Sequence, residues 1–174
     1  MTFLKYIDED DRAYGVAGMT IALVLWDGEP YLSAINIDNP VGSSVVFTPS
    51  FGFSGNPRML ASLAWREILR QFELTAAMIM GNAICRSYLG EGMSLNSDVN
   101  QNLRAIIHKE GMEICSLESD EIDIIYNKTL RYLDRVFTHA GVSGLARDLA
   151  SALKQRRHLS ASEVFEILSA LNHM

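Results

Sequence analysis

What most constrains this chain is a change of hydrophobic period at Asn56-Pro57. Before it, apolar residues come in short runs broken by turn residues. After it, they recur every three or four positions almost to the end. A period of two does not fit one face of a helix, and a period of 3.6 does not fit one face of a strand. The switch therefore divides the chain into a strand-forming part and a helix-forming part. Strands grouped first and helices grouped afterwards predict the α+β class, with an N-terminal three-stranded antiparallel meander packed against a C-terminal bundle of about five to six helices.

Residues 19–26, Met-Thr-Ile-Ala-Leu-Val-Leu-Trp, have strand composition and end at Asp27-Gly28, a dipeptide suited to the positive φ angles of a tight hairpin. Residues 31–37 resume the strand pattern and stop at Asp38-Asn39-Pro40, where proline removes a ladder donor. Residues 43–48 supply the third strand. Connections this short predict antiparallel neighbours.

In the second part, Asn56 caps a helix with Pro57 at its first position. That helix runs to about residue 72, and residues 74–89 continue it. Ala76, Ala77, Met78, Ile79, Met80, Ala83, Ile84 and Cys85 cover every face of the continuation, which predicts a central buried helix ended by Gly90 and Gly92. Ser97 caps the next helix, which reaches Lys109 and stops at Gly111, and residues 112–117 suit a short edge strand. Residues 121–138 form an amphipathic helix whose stripe holds Ile122, Ile125, Tyr126, Thr129, Leu130, Leu133, Val136 and Phe137. Gly141 ends it, and helices over about 144–156 and 161–171 follow. The last opens on a capping box, Ser160 with Glu163, and a hydrophobic staple, Leu159 with Val164. With no internal repeat and no long linker, the expectation is one domain over residues 1–174, with strands within about 19–48 and helices within about 57–172.

With 174 residues, 48% of them hydrophobic and 21% charged, the chain can bury roughly 70% of its unfolded surface without disulfides or structural metal. Disordered, collagen-like and coiled-coil readings are excluded. Cys85 and Cys115 have no neighbouring Cys or His at metal-ligand spacing, which suits reduced core residues of a cytoplasmic protein. The first twelve residues carry acids where an export signal carries basic residues, so export is not expected. The apolar runs 19–26 and 74–85 fall short of the ~20 residues of a membrane span. The net charge of −6 is concentrated early: residues 1–60 carry 3 basic and 7 acidic side chains, residues 61–118 carry 5 and 7, and residues 119–174 carry 7 of each. Such a balance disfavours general binding to phosphate backbones.

No catalytic motif is legible, and no cofactor or metal is expected. The glycine-containing stretch 50–57 between a strand and a helix start exposes backbone N–H groups suited to an anion, although it lacks the Lys-Ser/Thr of a P-loop and the spacing of a dinucleotide fingerprint. A plain turn and cap competes with that reading. Asn82 and Arg86 lie one turn apart on an otherwise apolar helix, which places them on a pocket wall or leaves Arg86 reaching water from the helix end. Together Ser54, Gly55, Asn56, Asn82 and Arg86 form the candidate ligand-binding set, with a small anionic molecule as the ligand class. His108 and His139 read as helix-end histidines, and His158 and His173 add no metal site. Cys85 has no legible base partner. The acids Asp8, Glu9, Asp10 and Asp11 lack calcium-loop spacing and read as a solvated turn.

Residues 143–172, with Lys154, Arg156, Arg157 and His158 between two helices, weakly resemble a helix-turn-helix. The second helix has no Arg, Lys or Gln to read base edges, so nucleic acid is not the favoured partner. The sequence favours an interaction or regulatory domain acting through protein contacts, with self-association, and an anion-binding protein or enzyme is the alternative.

Overall fold

The computed structural model describes residues 5–52 and 61–173. The chain is α+β: a three-stranded antiparallel sheet packs with a helical bundle. Among the described residues the elements run α1 (Glu9–Leu25), β1 (Leu32–Asn36), β2 (Val45–Phe47), α2 (Ala61–Arg86), α3 (Ser97–Cys115), α4 (Ser119–Thr138), α5 (Ala140–Arg156), β3 (His158–Ser160) and α6 (Ala161–Leu168).

The expected first strand, residues 19–26, is instead the end of α1. The helix starts where Asp8 accepts a hydrogen bond from the Asp11 amide at 2.8 Å, with Glu9, Asp10 and Asp11 in the first turn beside the positive end of the helix dipole. Those acids are thus a helix start and not a solvated turn. Ala13, Val16, Ala17, Ile21, Ala22 and Leu23 are all fully buried, so tertiary packing overrides the strand propensity of the apolar run. Thr20 fits this setting because its hydroxyl donates to the Val16 carbonyl at 2.7 Å. The Asp27-Gly28 pair does use a positive φ, 53° at Asp27, but to close a helix: the Gly28 amide donates to the Leu23 carbonyl at 2.9 Å.

The third strand comes from far along the chain. The sheet order is β2-β1-β3, with Ile35 opposite Val45 on one side and Leu159 on the other. The sheet is therefore antiparallel and three-stranded without being a meander.

Helix α2 continues unbroken through the apolar segment, passes into a π turn over Ser87–Glu91 and ends at Gly92, whose φ is 69°. It crosses α1 with backbone against backbone. A Cβ on Gly18 would stand 2.2 Å from the Gly81 carbonyl oxygen, and one on Gly81 would stand 2.6 Å from that of Gly18. The start expected at Asn56-Pro57 lies outside the described residues.

Helix α3 is capped by Asn96, one residue before Ser97, and does not stop at Gly111. It runs to Cys115, so the expected edge strand over 112–117 is absent. Gly111 serves close packing instead: a Cβ there would lie 2.9 Å from the Ile122 side chain. In α4, Ile122, Tyr126, Thr129, Leu133 and Phe137 are buried, which matches the apolar stripe. Gly141 falls inside α5; the break is made by His139, whose Nδ1 accepts from the Gly141 amide at 3.2 Å. Ser160 and Glu163 form the expected capping box of α6, and Leu159 and Val164 are fully buried beside it. The buried side chains make one connected cluster drawn from all six helices and the sheet.

Candidate functional site

Asn82 and Arg86 do share a face of α2, and that face turns toward the start of α1. Asn82 is fully buried and donates to the Tyr6 hydroxyl at 2.9 Å. Its Oδ1 has no hydrogen-bond partner among the described residues. Gly15 makes the room: a Cβ there would sit 2.7 Å from both Asn82 Nδ2 and the Tyr6 ring. Arg86 grips Asp11 with two nitrogens, at 2.5 and 2.6 Å, and also donates to the Lys5 carbonyl at 3.2 Å. Its guanidinium lies 4.9 Å from the centre of the Tyr6 ring. Burial raises the Tyr6 hydroxyl above its ordinary value.

The pair thus ties Lys5 and Tyr6 to α2, and the charge of Arg86 is matched by Asp11 of α1, which also accepts from the Ile7 amide. A small cleft of about 430 Å³ opens beside this network. Its cations Lys5, Arg12 and Arg157 stand against Asp8, Glu9 and Asp38, with Arg157 bonded to Asp38 at 2.5 Å and to Glu9 at 2.8 Å. That balance gives an incoming anion little net attraction. Ser54, Gly55 and Asn56 lie outside the described residues, so the structure brings together two of the five candidate residues.

Other candidates are absorbed by the fold. Burial drives the Cys85 thiol far above its ordinary value, which removes the thiolate a nucleophile needs. Within the residues that resembled a helix-turn-helix, the connection is β3, paired to β1. The cations at that connection are engaged, Lys154 with Asp10, Arg156 with Glu163 and Arg157 with Glu9 and Asp38. His108 lies well inside α3 and meets Asp123 of α4 at 2.6 Å. Among the described residues no group of three or more His, Cys, Asp or Glu side chains could hold a metal ion. No helix among them is long and apolar enough to cross a membrane.

The larger feature was not signalled by any motif. An open cleft of about 1110 Å³ lies between the end of α1, one face of α2 and the outer face of α4. Trp26 and Tyr132 meet edge to face in it, with ring centres 5.4 Å apart. Ile124, two turns before Tyr132 on α4, lines the same cleft and is 68% exposed. Along α4, Ile124, Lys128, Arg131 and Arg135 follow at intervals of four, three and four, which puts them on one stripe. Arg70 and Glu73 of α2 and Asp27 after α1 complete the charged rim.

The electrostatics of this cleft are lopsided. Asp123, also in its wall, is already matched: Arg104 and His108 each approach it at 2.6 Å and hold its carboxyl below the usual carboxylate range. Arg70, Lys128, Arg131 and Arg135 form no ion pair with any described residue, and neither do Asp27 and Glu73. Four unmatched cations therefore face two unmatched carboxylates, in a chain whose net charge is −6. The one available sequence signal was Ile124, a large apolar residue outside the core stripe of α4 and one turn before Lys128.

Comparison with protein-family models, with curated proteins and with solved structures finds no match to this chain.

Proposed function

We propose that the protein is an interaction module that works through protein contacts, and that the cleft between the end of α1, α2 and α4 receives a segment of another polypeptide. The observation that carries this reading is the apolar surface of the cleft, exposed Ile124 and the Trp26–Tyr132 pair, among charged side chains in which arginine and lysine outnumber acids without partners. Aromatic residues and arginine surrounded by a polar rim are what polypeptide interfaces select, because the rings bury large area at small conformational cost. The cleft is open to solvent, unlike the enclosed sites that surround small molecules.

The test is a selection of short displayed peptides against the intact protein, followed by affinity measurements on variants. Binders to the cleft lose about ten-fold or more in affinity on Ile124→Asp or Tyr132→Ala. They keep it on Lys109→Glu, which lies outside the cleft lining. A panel of binders indifferent to both cleft substitutions sinks the reading.

A further inference from the structure

We infer that the segment received by this cleft is acidic: an amphipathic stretch of a partner protein carrying carboxylates along one side and a large apolar side chain for the aromatic pair. The inference rests on the reading of the cleft as a polypeptide-binding site, and adds the chemistry of its occupant.

The charge pattern points there. Several cations elsewhere are matched with the chain's own carboxylates, as Arg86 with Asp11, Arg104 with Asp123, Lys154 with Asp10, and Arg157 with Glu9 and Asp38. Lys5, Arg12, Arg66, Lys109 and Arg147 form no ion pair with a described residue and lie outside this cleft. What sets the cleft apart is that its unpaired cations, Arg70, Lys128, Arg131 and Arg135, line one surface beside apolar side chains. A helix C-terminus favours cations, and Arg135 in the last turn of α4 is explained that way. Lys128 and Arg131 stand farther from that end, where the dipole contributes little. Like charges three and four residues apart repel one another, so the stripe costs stability in the unbound protein. Carboxylates at matching helical intervals on an incoming segment would remove that repulsion and form ion pairs in its place. Ile124, at the head of the same stripe, and the Trp26–Tyr132 pair supply the apolar contact that fixes register.

A nucleic acid also carries negative charge and stacks on aromatic rings, but it is the poorer occupant. Asp27 and Glu73 lie in the same rim and would face a continuous phosphate backbone, whereas a peptide can present an uncharged group opposite them. The overall charge of −6 acts in the same sense.

The experiment uses the full chain with Trp65→Phe, which leaves Trp26 as the sole tryptophan and the reporter of the cleft. Three synthetic amphipathic peptides of one length share a leucine pattern and carry Glu, Gln or Lys at every polar position. The Glu peptide shifts Trp26 fluorescence and binds about ten-fold tighter than its Gln twin at low salt, and the advantage shrinks as salt is raised. Lys128→Glu/Arg131→Glu reverses the preference toward the Lys peptide. Equal binding of the Glu and Gln peptides overturns the acidic identity while leaving the cleft a polypeptide site. Failure of all three overturns the reading of the cleft and the inference with it. Tighter binding of a short oligothymidylate than of the Glu peptide overturns the inference in favour of nucleic acid.

Discussion

At the N-terminal end of α1 four consecutive acids are all engaged: Asp8 caps the helix, Glu9 meets Arg157, Asp10 meets Lys154 and Asp11 meets Arg86. At its C-terminal end, past Leu25 and Trp26, the helix opens onto a cleft whose four cations have no carboxylate partner among the described residues. The two ends of one helix thus treat charge in opposite ways. Where charge is matched inside the chain, the side chains position backbone: Arg86 and Asn82 tie Lys5 and Tyr6 to the bundle, and Asp11 holds the Ile7 amide. Where charge is left unmatched beside exposed aromatic surface, it is available to another molecule. A polar residue on an apolar helix face is therefore not by itself a mark of a binding site.

The contrast can be broken most severely at the crossing between the two ends. Gly18→Ala drives a methyl group into the Gly81 carbonyl oxygen, at 2.2 Å from the unmoved backbone, and forces α1 and α2 apart. Overpacking with backbone displacement is expected to cost about 3 kcal/mol or more, read as a lower urea midpoint or loss of the cooperative transition. An unchanged midpoint would show that the helices separate freely.

The matched end is sharpened by Arg86→Met. Asp11 is then left largely buried without its cation, at a cost of about 3 kcal/mol, and Arg86→Met/Asp11→Leu recovers most of it because no isolated charge remains. By contrast, Arg131→Glu in the cleft changes stability by no more than about 0.5 kcal/mol, since it breaks no ion pair within the chain. Equal losses in the two regions would erase the distinction between them.

The smallest effect is that of acid. Arg104 and His108 hold Asp123 below its ordinary value of 3.8, Arg157 does the same for Asp38, and Ser160 with Arg156 hold Glu163 below 4.5. A lowered folded-state pKa contributes stability that is present above the unfolded value and lost as pH falls through the folded one. The urea midpoint should therefore hold from neutral pH down to about pH 5 and fall below about pH 4. Arg104→Ala makes that fall shallower, because Asp123 then titrates nearer its ordinary value. An equally steep decline in the variant would remove Asp123 from the acid response.

Much of the helical half was legible in the sequence because its physics is local. The stripe of α4 and the Ser160–Glu163 box of α6 depend on residues within a few turns, and both stand in the structure. The first helix was hidden for the opposite reason. It is buried on most of its surface, so it lacks the polar side that would reveal a period of 3.6, and its isoleucine, valine and threonine read as strand. β3 was equally hidden, since three residues carry almost no pattern and their partner strand lies near the other end of the chain. Of the candidate site, the shared face of Asn82 and Arg86 was legible, but not that Asp11 would occupy it. The cleft combines side chains from three elements, and no stretch of sequence contains it.

The position of β1 between β2 and β3 has a consequence for the order in which the protein is made. β2 is at hand soon after β1 leaves the ribosome, whereas His158–Ser160 emerge only after five of the six described helices. For most of synthesis one side of β1 therefore presents unpaired backbone groups, the kind of edge on which chains aggregate. A chain cut short before His158 loses, along with α6, the strip of backbone that closes its sheet.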